Sequence, residues 1–165
     1  MLIWNQGVTN ELGRITHGIQ KIAGNDVVDY IKKEDVPSNK VVTYDNMVCN
    51  YRPNKADPFM VRLTVGGNKL QYDLDATLPA ANLIKTKVFL NSTISQASKG
   101  ARFLTLDIKD FFLQTLIAEP KYMQIKYKYF TPEIKQKYNI DKIVSSNGYV
   151  YCKIKSDMYG LKQAA

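Results

Sequence analysis

The chain has 165 residues, 45 % hydrophobic and 23 % charged, the composition of one ordinary globular domain or of a piece of a larger one. Its 23 lysines and arginines against 15 acidic residues give a net charge of +8, which favours anionic partners such as nucleic acid over acidic ones. Two cysteines (Cys49, Cys152) and one histidine (His17) exclude a disulfide framework or zinc cage, and no apolar run approaches the roughly 20 residues of a membrane span.

The N-terminus, MLIWNQ, lacks the basic start and apolar core of a signal peptide, so an intracellular protein is expected. Leu12, Ile15, Ile19 and Ile22 are spaced by 3, 4 and 3, which predicts a helix over 8–23 that stops at Gly24. Trp4 is expected to pack at its start. VVDYIKK (27–33) reads as a short strand. VVTYDNMVCNYR (41–52) and FMVRLTV (59–65) flank the proline-bracketed turn PNKADP and read as a β-hairpin. Its second arm alternates, with Phe59, Val61, Leu63 and Val65 on one face and Met60, Arg62 and Thr64 on the other, until Gly66-Gly67 ends it. Pro79 opens a predicted helix over 79–97. A strand at 101–107 and a short helix at about 109–115 follow. YMQIKYKYF (122–130) reads as a strand. Thr131-Pro132-Glu133 reads as a helix start with a cap, running to about Tyr138. YVYCKIK (149–155) reads as a strand with Lys153 and Lys155 on one face. The ending LKQAA looks like a helix cut off at its first turn.

RFLTLDIKDFF (102–112) joins an apolar strand to two carboxylates, Asp107 and Asp110, and two adjacent rings. Both aspartates suit helix capping. Asp107 also suits magnesium, which takes one or two carboxylates together with phosphate oxygens. The backbone carbonyl of Ile108 would add another oxygen. One ring of the pair Phe111-Phe112 is core; periodicity does not say which. Arg52, Lys55, Arg62, Lys69, Lys126, Lys128, Lys153 and Lys155, interleaved with Tyr51, Tyr127, Tyr129, Tyr149 and Tyr151, suit a surface that tracks a phosphate backbone and stacks bases. For any single one of them an ordinary solvated sheet face is the simpler account.

Together, RFLTLDIKDFFLQTLIAEPKYMQIK (102–126) and GYVYCKIKSDMYGLKQAA (148–165) resemble the reverse transcriptase of copia-type (long-terminal-repeat) retrotransposons. The matching residues are Asp107-Ile108-Lys109, Phe112-Leu113, Tyr122-Met123 and Cys152 through Ala164. VRLTVGG (61–67) is similar to the family's finger strand, and the resemblance spans roughly residues 40–165. It implies an α+β fold: reverse-transcriptase fingers and partial palm, with mixed and antiparallel strands and flanking helices. The implied segments are 1–78 (N-terminal helix and fingers hairpin), 79–118 (first palm part), 119–155 (return to the fingers) and 156–165 (start of a second palm segment).

The resemblance also implies roles. Asp107 would be the catalytic carboxylate and, with the Ile108 carbonyl, would hold two Mg²⁺ (or Mn²⁺) ions in the parent. Phe112 would wall off the sugar 2′-hydroxyl. Arg62, Tyr159 and Gly160 would meet the incoming nucleotide. With Asp107 so assigned, Asp110 reads from its local chemistry as a helix cap. Arg52, Lys55, Lys126, Lys128, Lys153 and Lys155 would face nucleic acid. The implied activity is RNA-directed DNA synthesis on a template-primer from deoxynucleoside triphosphates. The neighbours would be integrase and RNase H domains of a polyprotein, in cytoplasmic virus-like particles and the nucleus, with no membrane partner. The chain departs from the family in having no Asp-Asp dipeptide. The expectation is therefore a fragment truncated before the Tyr-x-Asp-Asp hairpin and inactive alone, because two-metal chemistry needs carboxylates on both sides of the ion pair. The alternative is a non-catalytic, nucleic-acid-binding remnant of a degenerate retroelement.

Overall fold

The computed structural model describes residues 2–55, 57–70, 83–97, 110 and 112–162. Among them are three helices and five strands. They run α1 (Leu2–Ile15), β1 (Val28–Ile31), β2 (Val42–Tyr51), β3 (Phe59–Val65), α2 (Leu83–Ala97), β4 (Leu116–Lys126), α3 (Pro132–Tyr138) and β5 (Tyr149–Ser156). The fold is therefore mixed α and β. The strands form one sheet in the order β1-β5-β4-β2-β3. Only β2 and β4 pair in parallel, through Val42–Tyr122 to Tyr44–Gln124; the other pairs are antiparallel. The strands from the first 65 residues and from 116 onward thus interleave, so the sheet cannot form until both ends of the chain have met.

The predicted hairpin of β2 and β3 is present, with a register running from Asp45↔Val65 to Tyr51↔Phe59. Val61, Leu63 and Val65 are buried as the alternation requires, while Arg62 faces the other way. β5 lies between β1 and β4, and so buries residues from both of its faces, including Val150, Tyr151, Cys152 and Ile154. Val150, Cys152 and Ile154 join Leu12, Ile15, Val28, Met123, Ile125 and Ile134 in one core.

Four local expectations change. The first helix runs Leu2–Ile15, not 8–23. It is closed by Gly18 at φ +89, whose N–H returns to the Gly13 carbonyl at 2.9 Å, the left-handed ending that glycine favours. Ile19 and Ile22, expected on its stripe, instead pair with each other in a tight bridge. Trp4 lies on that helix, edge-on to Phe59 at 5.2 Å. Secondly, β4 starts at Leu116 and ends at Lys126, with a register shift between Leu116 and Lys121 where Pro120 has no N–H to offer the ladder. Lys128 therefore sits in the 3-10 turn Tyr127–Tyr129 and not on a strand. Thirdly, α3 starts as predicted with Pro132 in its first turn, but Thr131 makes no side-chain cap; its hydroxyl shares a 2.7 Å hydrogen bond with Thr9 on α1. Fourthly, the helix expected at 109–115 is, within the described residues, a 3-10 turn at Phe112–Gln114. The strand expected at 101–107 lies outside the described residues.

α2 exposes Ile84, Val88 and Phe89, and no described helix is long and apolar enough to cross a membrane. The two thiols differ sharply. Cys49 is exposed and Cys152 is buried, and burial pushes the Cys152 thiol well above its ordinary value. Since the thiolate is the reactive form, Ellman titration should find one fast thiol in the native chain and a second only on unfolding. Two fast thiols would contradict the burial of β5.

Candidate nucleotide cleft

Among the described strands β3 is the last of the sheet, so one row of its backbone groups has no partner among them. Such an edge is normally covered or blunted. Here two of its N–H groups, two residues apart, are taken by other parts of the chain. The Leu63 N–H donates to Glu11 Oε1 on α1 at 2.8 Å. The Val65 N–H donates to the Tyr159 carbonyl at 2.7 Å. This edge brings together segments that lie far apart in sequence.

Tyr159 is held by more than that bond. Gly160 has φ +96, and a Cβ there would lie 2.1 Å from the Val65 carbonyl oxygen. The loop after β5 can approach β3 this closely only with glycine at that position. The result sets the Arg62 guanidinium over the Tyr159 ring, 4.1 Å from its centroid, a cation–π contact. Three of the residues that the resemblance assigns to the incoming nucleotide, Arg62, Tyr159 and Gly160, therefore converge on one edge.

Arg62 lines a cleft of about 880 Å³ between α1, the hairpin and the turn at 110, together with Arg14, Lys21, Arg52, Asp110 and Gln114. Its cations are not equivalent. Arg14 is paired with Glu11 at 2.7 Å and with Asp110 at 2.5 Å. Burial alone would lower its pKa, but the pull of Glu11 and then Asp110 outweighs this and raises it. Arg52 and Arg62 each have a buried Nε with no hydrogen-bond partner. A buried donor left unsatisfied costs roughly 1–3 kcal/mol. An anion entering the cleft would find these two side chains with unused donors, and would bind them through charge-assisted bonds.

The other basic residues disperse. Lys55 is exposed at the hairpin turn. Lys153 lies on β5 opposite Asp29. Lys155 is engaged with two carboxylates, Asp26 at 2.7 Å and Asp29 at 2.9 Å. Its hydrogen bond is the main cause of the lowered Asp26 pKa. His17, Asp26 and Asp29 offer ligand atoms within 4.8 Å of one another, but the Lys155 ammonium already serves as the cation there. Lys126 and Lys128 line a second groove of about 860 Å³, on the other flank of α1, with Trp4, Tyr44, Asp45 and Tyr149. Lys128 lies 5.3 Å from the ring centre of Tyr129. The predicted basic surface is thus at least three separate places.

Asp107 and Ile108, the expected metal-holding pair, lie outside the described residues, as does the Phe112 side chain. Asp110, expected to cap a helix, is described. It has φ +57, and its carboxylate receives Arg14. Glu11 and Arg14 went unnoticed in the sequence. Their spacing of three on one helix was the available signal, but nothing local showed that the pair turns inward.

Compared with family models, curated proteins and solved structures, the chain matches none.

Proposed function

We propose that the chain supplies the nucleotide-facing part of an RNA-directed DNA polymerase of the copia-type retrotransposon kind: the fingers and the start of the palm. The reaction would be attack of a primer 3′-hydroxyl on a deoxynucleoside triphosphate. The observation that carries this reading is the convergence of Arg62 on Tyr159 at the outer edge of β3 among the described strands, beside buried arginine Nε donors that have no hydrogen-bond partner. In this reading Arg62 and Arg52 receive the triphosphate oxygens and Tyr159 forms a wall of the nucleotide site. Phe112 sets the limit on the sugar. Asp107 and the Ile108 carbonyl would hold Mg²⁺ or Mn²⁺, which supply Lewis-acid stabilisation of the transferring phosphoryl group. The second carboxylate pair such chemistry needs is not among these 165 residues.

Calorimetric titration with a magnesium deoxynucleoside triphosphate tests the reading. The wild-type chain should bind saturably, Arg62→Ala at least about tenfold more weakly, since loss of one charge-assisted contact is worth roughly 1.5–3 kcal/mol, and Lys55→Ala nearly as wild type. Absence of triphosphate binding, or an unaffected Arg62→Ala, would sink it. The second reading, a non-catalytic nucleic-acid-binding remnant, draws on the groove that combines Lys126 and Lys128 with Trp4, Tyr44 and Tyr149. Lysines beside stackable rings suit a single strand. Steeply salt-dependent oligonucleotide binding without triphosphate binding would favour it.

A further inference from the structure

Three elements that make the cleft meet at one part-buried charge bridge. Glu11 sits on α1 with a side chain only 4 % exposed. One of its oxygens accepts the Leu63 N–H of β3 at 2.8 Å. The other accepts Arg14 Nε at 2.9 Å and Nη2 at 2.7 Å. The remaining arm of the guanidinium, Nη1, donates to Asp110 Oδ1 at 2.5 Å. Asp110 in turn holds the left-handed conformation at φ +57, and its carbonyl accepts the Leu113 N–H at 3.0 Å, which closes the 3-10 turn Phe112–Gln114. A non-glycine residue in that conformation persists where its surroundings hold it, and the Nη1 arm of Arg14 holds its side chain.

We propose that the Glu11–Arg14–Asp110 bridge positions Asp110 and the turn Phe112–Gln114 against the edge of β3, so that Arg14 is a positioning residue of the cleft and not one of its anion ligands. Arg14 differs from Arg52 and Arg62 in this respect. All three of its guanidinium nitrogens face carboxylate oxygens, whereas the other two keep a buried Nε without a partner. The same Glu11 carboxylate meets β3 two residues before Val65, where Tyr159 docks. Arg62, Tyr159 and the turn carrying Phe112 are thereby referred to one strand. The consequence for triphosphate binding rests on the polymerase reading given above; the positioning of the turn does not.

The test uses the full chain and two variants. Asp110→Asn keeps the size of the side chain and tolerates left-handed backbone, but removes the charge. Arg14→Lys keeps the charge but cannot span both carboxylates. Amide hydrogen exchange should be at least about tenfold faster at Leu113 in both variants, with Val150 and Cys152 of β5 unchanged as the control for folding. Arg62→Ala should leave the Leu113 amide at its wild-type rate. Triphosphate titration adds a readout of opposite sign for rival roles. Removing a negative charge from an anion cleft should tighten binding by simple electrostatics; if Asp110 is there to position the turn, Asp110→Asn binds several-fold more weakly. Wild-type exchange at Leu113 in Asp110→Asn, or triphosphate binding that is unchanged or tighter, overturns the proposal. If the wild-type chain binds no triphosphate, the polymerase reading fails and the exchange rates alone decide the bridge.

Discussion

Gly160→Ala is expected to free Tyr159 from Arg62 and to cost the cleft its triphosphate affinity while leaving the sheet intact. The glycine holds φ +96, and an added Cβ would meet the Val65 carbonyl oxygen at 2.1 Å, its N at 2.8 Å and its carbonyl carbon at 3.0 Å. Those atoms belong to the backbone of β3, which is paired with β2 along the whole of Phe59–Val65, so they cannot swing aside as a side chain would. Holding alanine in such a conformation costs about 1–3 kcal/mol before the clash is counted. The cheaper outcome is that the loop after β5 lifts away, giving up the 2.7 Å bond from Val65 N–H to Tyr159 and the stack on Arg62. Triphosphate titration should show a loss of more than tenfold, about 1.4 kcal/mol, with far-ultraviolet circular dichroism unchanged. A variant that binds as the wild type does would mean that the Tyr159 docking is irrelevant to the cleft.

Ile154→Ala should be the most damaging single truncation of the core. Ile154 is fully buried and sits in β5 opposite Val28 of β1 and Lys121 of β4. Removing its branched side chain leaves a cavity between strands that come from distant parts of the chain. Such substitutions cost about 2–5 kcal/mol, a large share of the roughly 5–15 kcal/mol that holds a domain together. A urea titration should show the midpoint displaced by that amount. A loss below about 1 kcal/mol would mean that β5 is not the packed centre of the sheet.

The hairpin and β5 were legible in the sequence because their period-two alternation and bounding turn residues are local signals. Residues 41–52 and 59–65 carry nothing that competes with a strand. The first helix was misjudged because Ile19 and Ile22 fit its stripe, while the competing signal, a left-handed Gly18 before the expected stop at Gly24, is a single glycine. The ending of the 122–130 strand was missed for a similar reason: Tyr127 and Tyr129 suit a strand, but the chain turns there in a 3-10 helix. Thr131 was assigned its cap from local chemistry, and a partner on α1 took its hydroxyl.

The basic residues show the limit most clearly. Period and composition grouped Arg52, Arg62, Lys126, Lys128 and Lys155 as one surface. Whether a lysine is free or already answered by Asp26 and Asp29 depends on contacts across more than a hundred residues. So does the distinction between Arg14, neutralised by two carboxylates, and Arg62, stacked on Tyr159. Glu11 was invisible for the same reason. Its value lies in an N–H on β3 that no other described strand takes.

In the polymerase reading proposed above, the edge of β3 and the loop after β5 together face a nucleotide. Photolabelling with an azido-deoxynucleoside triphosphate in the presence of Mg²⁺, followed by peptide mapping, tests it most directly. Label is expected in the peptides containing Arg62 and Tyr159, suppressed by unlabelled triphosphate and lost in Arg62→Ala. Label that falls instead in the groove of Lys126 and Tyr149, or that no competitor suppresses, would contradict it.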